Sequence, residues 1–257
     1  MRVIKVLFIC HLAALAFGLG GLLIVLQHPE LWDSSPIGVN IFTFVLRYAG
    51  LLHVLFGAAT MLLFGLLFVG PRKTLIFFAA STLISLGADA LGKGTGFPFS
   101  VYASNTVPDF KVAGIISYAV LLSWFYMGFT SYLLASKLIS MFRVRLQTLW
   151  SLILGTYFLA SWGLTLDLAT ASEHIPAQLG IWHGYGSYFG MPVSNLVGWT
   201  LNILILLSIS RLLWRGNFNT PHLAVWVPFG IYTANTGFVM GLNIGVGLWI
   251  PLLMTAL

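Results

Sequence analysis

Apolar residues along this chain do not alternate with polar ones. They fall in long unbroken runs, separated by short stretches rich in glycine, proline, aromatic and basic residues. The runs predict helices over 3–26, 44–69, 74–91, 112–135, 147–168 and 194–214, followed by an apolar stretch over 220–257. About 20 residues rising 1.5 Å each span the ~30 Å hydrocarbon layer of a bilayer. Strands of a membrane barrel would instead show ~10-residue segments of alternating polarity. The last stretch is nearly two spans long and carries only a weak turn signal, Asn235-Thr236-Gly237 and then Asn243. The pattern therefore predicts an all-α, polytopic transmembrane helical bundle of seven or eight spanning helices, with 1–257 as a single integral membrane domain.

Composition agrees. Of 257 residues 59% are apolar and 7% charged, and the mean hydropathy is +0.96. A soluble domain carries roughly a quarter charged residues to wet its surface. The basic start of the first run (Arg2, Lys5) resembles a signal peptide, but the run exceeds the ~7–15 residues of a signal core and has no clear cleavage site, so it reads as retained.

Charge sets the orientation. With a cytoplasmic N-terminus, the inner side carries Arg2, Lys5, Arg72, Lys73, Lys137, Arg143, Arg145, Arg211 and Arg215, nine of the twelve basic residues. Only Arg47, Lys93 and Lys111 fall towards the outside. This is the positive-inside bias of a multi-pass protein of the cell membrane, so the net charge of +6 describes topology and not nucleic-acid binding. All six acidic residues (Glu30, Asp33, Asp89, Asp109, Asp167, Glu173) fall on the outer half. Carboxylates contribute little to topology, and acid chemistry, if present, belongs at that face.

Two segments concentrate polar and aromatic residues. One runs from Asp89 through Gly92, Gly94, Thr95-Gly96-Phe97-Pro98-Phe99 to Tyr102; the other runs from Asp167 through Trp182-His183, Tyr188-Phe189-Gly190-Met191-Pro192 and Asn195 to Gly198-Trp199. An aromatic belt at headgroup level accounts for part of this, but not for carboxyls at the hydrocarbon edge, where ionisable groups are costly and read as functional. Asp89 and Asp167 sit at matching depths near the outer ends of the third and fifth spans. Apolar surroundings disfavour the charged form of a carboxyl, which then holds its proton and can act as a general acid. The alternative for each is a helix-end cap or a pair with Lys93, Lys111 or Arg47.

The remaining polar groups suggest little chemistry. Cys10 is alone and reads as a small buried apolar side chain. Counted along upright spans, His11 and His53 lie roughly 10 Å apart in depth, too far to be the two axial ligands of one haem. No metal-binding spacing of His, Cys or acidic residues occurs, and Gly92-x-Gly94-x-Gly96 lacks the strand–turn–helix setting of a phosphate loop. Neither a metal nor a cofactor is expected.

The first segment, with Ser123-Trp124 in the fourth span, and the second from Asp167 to Trp199 together resemble the two signatures of the membrane carotenoid-biosynthesis protein family, which includes γ-carotene 1′-hydratases and bisanhydrobacterioruberin hydratases. The resemblance covers roughly 85–200. Asp89 stands where the family usually has Glu, Ser100 where it has glycine, Ser104 near a usual tyrosine, and Gly114-Ile115-Ile116 in place of Gly-Val-Pro.

The resemblance implies a lyase that adds water across the terminal C1′–C2′ double bond of a linear carotenoid. Protonation at C2′ leaves a tertiary cation at C1′, which water captures. Asp89 and Asp167 would be acid and base in either order, with His183, Tyr102 and Asn195 supporting. Phe97, Tyr102, Trp182, Tyr188 and Phe189 would face the cation, an aromatic face contributing on the order of 2 kcal/mol when desolvated. Phe99, Trp124 and Trp199 would complete the substrate contacts. The implied partners are the lipid bilayer, the apolar isoprenoid and other carotenoid-pathway enzymes. A non-catalytic carotenoid or lipid carrier would need the same groove without the acid. A transporter would spread its polar residues across the membrane, beyond Asn202 and Ser208.

Overall fold

In the computed structural model, residues 1–99, 102–103, 111–112, 114, 116–142, 144–172, 181–182, 186–214 and 225–249 are described. Seven long helices run through them: α1 (Arg2–Gly20), α2 (Pro36–Phe64), α3 (Pro71–Thr95), α4 (Tyr118–Ser140), α5 (Gln147–Thr170), α6 (Val193–Leu213) and α7 (Trp226–Gly245). π-helical turns at Gly21–Val25 and Gly65–Val69 extend α1 and α2. Six of the helices are long and apolar enough to cross a bilayer. α7, 20 residues long, is not among those six. The chain is a helical membrane bundle, as its apolar runs predict; the part of 220–257 that would supply an eighth helix lies largely outside the described residues.

α4 is the axis of the bundle. Within its apolar window 78% of residues are buried, against 11% for α1 at the periphery. It packs against α2, α3, α5, α6 and α7. Phe77, Phe125, Phe129 and Trp214 form an aromatic core towards the end that holds the N-terminus, with Phe77 and Phe129 5.0 Å apart.

Four expectations need correction. The run at 112–135 is not one helix: Lys111–Val112 (β2) and Ile116–Ser117 (β3) form a short antiparallel hairpin, and α4 starts only at Tyr118. Gly114 at φ 68 turns the hairpin, and Ser117 caps α4 by accepting the Ala119 N–H at 3.0 Å. Second, α2 begins at Pro36, not 44, because Ser35 accepts the Gly38 N–H and Pro36 occupies the first helical turn.

Third, Asn235-Thr236-Gly237 is no turn, since α7 runs through it. Asn235 bridges helices instead: its Oδ1 accepts the Tyr126 hydroxyl at 2.8 Å, and its Nδ2 lies 3.0 Å from His11 Nε2 and 2.8 Å from the Ile231 carbonyl. His11 Nδ1 donates to the His53 carbonyl at 2.7 Å, and the two imidazoles are 6.3 Å apart. Fourth, counting residues along upright rods therefore misjudged the histidine depths, because α2 starts earlier and ends in a π-helical turn. The carbonyl only accepts, so His11 carries its proton on Nδ1 and takes the Asn235 N–H on Nε2. Both ring nitrogens are occupied.

Candidate functional site

At the end of the bundle away from the N-terminus, α5 and α6 pack side by side. Asp167 sits one turn before the end of α5. Asn195 lies in the first turn of α6 and Trp199 four residues later, so the two share a helix face. That face meets Asp167: Asn195 Nδ2 donates to Asp167 Oδ2 at 2.9 Å, and Trp199 Nε1 donates to the same oxygen at 2.8 Å. A buried carboxyl without donors would be costly at membrane depth. Both donors are neutral, so they orient the carboxyl without pairing its charge.

Trp199 reaches Asp167 because α5 has a glycine one turn away. A Cβ on Gly163 would overlap the Trp199 ring. The indole also stacks on Trp124 of α4, with centroids 4.6 Å apart and planes at 25°. Phe99 follows at 6.4 Å from Trp124. The carboxyl is therefore continuous with a wall of three aromatic rings, drawn from α6, α4 and the segment after α3.

The geometry of that segment follows from its sequence. α3 ends in the glycine-rich run itself: Gly96 takes the left-handed cap at φ 74, its N–H bonded to the Gly92 carbonyl at 2.8 Å. Thr95 Oγ1 then accepts the Phe97 N–H at 3.1 Å, and Pro98 turns in to be buried. Gly92, Gly94 and Gly96 thus build a helix end, not a phosphate loop. The Pro98 carbonyl lies against Gly198 of α6, where a Cβ would overlap it and would also meet Phe99 Cδ1 at 2.9 Å. The two segments singled out by the sequence also join through backbone. Tyr102–Ala103 (β1) pairs antiparallel with Ile181–Trp182 (β4), setting Tyr102 opposite Trp182.

Other expected residues are placed as follows. Asp89 is partly buried in the second-last turn of α3. Tyr188 and Phe189 cross edge to face at 5.2 Å in a tight turn that hydrogen-bonds Gly186 to Gly190. Burial pushes the Tyr188 hydroxyl up from its ordinary value. Phe189 and Phe97 are 47% and 60% exposed, so they stand at the rim while Phe99 lines the interior. For Tyr102 and Trp182 the description is of backbone, and His183 lies outside the described residues. Sequence reasoning missed Gly163 and also Met191, whose buried Sδ is 3.1 Å from Asn195 Nδ2. The i, i+4 spacing of Gly163 and Asp167 was the available signal for the first.

No curated protein and no solved structure matches this chain. The family model described as carotenoid biosynthesis protein matches residues 49–257, well beyond the two signatures, and the chain belongs to that family.

Proposed function

We propose that the chain is a carotenoid hydratase, adding water across the terminal C1′–C2′ double bond of a linear carotenoid end group. The observation that carries this reading is the Asp167 carboxyl: it receives two hydrogen bonds on one oxygen and adjoins the Trp199–Trp124 stack. Donors on Oδ2 favour carbonyl character there, which puts the acidic proton of the carboxylic acid on Oδ1. Hydration of an unactivated alkene needs such a proton, fixed in place and shielded from water. Membership of a carotenoid-biosynthesis family supplies the apolar substrate class.

The step balances simply. Asp167 Oδ1 gives its proton to C2′ as the π pair forms the new C–H bond, leaving a tertiary cation at C1′. Phe99, beside the Trp199–Trp124 stack, stabilises that cation without attacking it. Water bonds to C1′ through oxygen and yields its surplus proton to Asp89, the base. Exchange with bulk water then restores both carboxyl groups. Tyr102 and His183 support the water, while Trp182, Tyr188, Phe189 and Phe97 line the approach for the polyene. The basic residues at the N-terminal end support a cytoplasmic N-terminus, with the proposed site at the opposite face of the cell membrane.

The test is expression in a host that accumulates lycopene or γ-carotene, followed by a search for a product heavier by one water. Asp167→Asn and Asp89→Asn should each abolish that product while the protein still inserts. Wild-type yield from both variants would sink the carboxyl mechanism. Pigment that co-purifies unchanged with the wild-type chain would point instead to a carrier.

A further inference from the structure

The opposite end of the bundle carries a cleft that the proposed hydration does not use. A cavity of about 210 Å³ opens where the turn between α2 and α3 meets the end of α6, lined by Gly70, Arg72, Lys73, Ile76, Leu213 and Trp214 among others. Its frame is fixed: the indole of Trp214, 2% exposed, donates from Nε1 to the Lys73 carbonyl at 2.9 Å and ties the end of α6 to the first turn of α3. Arg211 donates to the Trp214 carbonyl at 3.2 Å, which brings a further basic residue to this end of the bundle.

Like charges are thus gathered at one fixed cleft. Among the described residues the carboxylates fall towards the other end: Glu30 and Asp33 precede α2, Asp89 lies in the second-last turn of α3, and Asp167 lies in the last turn of α5. Topology alone would be met by basic residues scattered over a wet surface. Here Arg72 and Lys73 line a cleft, and the positive end of the α3 dipole adds to the same field.

The cavity is amphiphilic. Val69, Ile76 and Leu213 give it an apolar wall. Beside it Leu67, Leu212 and Leu213 are exposed by 59%, 80% and 52%, a surface suited to acyl chains. Its volume is below the ~300–1,000 Å³ of a pocket that encloses a drug-sized molecule, so it fits a headgroup whose tails remain outside.

We propose that this cleft binds the phosphate of an anionic membrane phospholipid, with Arg72 and Lys73 on the phosphate and the acyl chains along Leu213 and Ile76. A free phosphate shares the charge but has no use for the apolar wall.

The test uses the full chain, purified in mild detergent and delipidated, and follows its thermal midpoint during titration with phosphatidylglycerol, phosphatidylcholine or inorganic phosphate. Phosphatidylglycerol should raise the midpoint and the other two should not. Hydrogen bonds to charged groups imply that Arg72→Gln with Lys73→Gln weakens the apparent phosphatidylglycerol affinity about tenfold or more. Lys137→Gln with Arg145→Gln, at the same end but off the cleft, should leave it unchanged. If the Arg72/Lys73 pair does not fold, Arg72→Gln alone, at an exposed side chain, carries the same expectation. An unchanged affinity in the Arg72 variants overturns the site. An equal midpoint rise with phosphatidylcholine or inorganic phosphate overturns the assignment to an anionic lipid.

Discussion

Replacing Trp199 by Phe separates two things the indole does at the site. It stacks on Trp124 at 4.6 Å and donates its N–H to Asp167 Oδ2 at 2.8 Å. Phenylalanine keeps an aromatic face and loses the donor. A hydrogen bond to a charged or proton-transferring carboxyl contributes about 1.5–3 kcal/mol, so turnover should fall roughly 10- to 100-fold. The smaller ring also leaves part of the recess over Gly163 empty. At ~24 cal/mol per Å³ of void this costs about 1 kcal/mol of stability, which lowers the amount of folded protein but not the rate per molecule.

The assay therefore normalises hydrated carotenoid to inserted, monodisperse protein, with the thermal midpoint measured in parallel. Asp167→Glu, which keeps an acid but shifts it relative to the Trp199 donor, and the double variant complete a cycle. If the Trp199 N–H acts through the Asp167 carboxyl, adding Trp199→Phe to Asp167→Glu should change activity little, so the two losses should fall well short of adding. Wild-type turnover in Trp199→Phe, or losses that add fully, would show that the bond orients nothing the reaction uses.

Two further substitutions probe the supporting structure. Gly198→Ala sets a Cβ against the Pro98 carbonyl, which is backbone and yields poorly; the thermal midpoint should drop by the equivalent of about 1–3 kcal/mol, and hydration should fall as Phe99 is displaced. Asn235→Leu leaves the Tyr126 hydroxyl and His11 Nε2 without their partner, at about 1–3 kcal/mol for each buried group left unpaired. Its signature is a large loss of thermal stability, with the turnover of the surviving folded protein unchanged because the network lies outside the site.

What could be read from the sequence follows from what a bilayer demands locally. Hydrocarbon requires apolar length, so the spanning helices were legible as runs. Their ends are set by single residues such as Ser35, Ser117 and Gly114, whose effects a hydropathy window averages away. Asp167, Asn195 and Trp199 were each legible as motif residues. Their convergence on one oxygen was not, because 28 and 32 residues separate the partners and no local spacing records that α5 and α6 pack face to face. Gly163 and Gly198 carry no chemistry of their own; their role appears only when a neighbour fills the space that a side chain would have taken.

The misreading of Asn235 shows the same physics from the other side. In water, asparagine in an apolar stretch suggests a turn, because its amide competes with the helix for backbone partners. In a bilayer no water satisfies that amide elsewhere, and the helix continues while the side chain bonds across to Tyr126 and His11. Asp167 obeys the same constraint with a different result. Asn235 is closed in by protein on every bonded atom, whereas the described donors to Asp167 converge on Oδ2 alone, beside an aromatic wall. A polar side chain inside this bundle is structural when its neighbours use all of its bonding capacity. It is suited to chemistry when they fix its position on one atom and leave the other for a guest, and that difference is why the proposed acid is Asp167 and not the Asn235–His11 network.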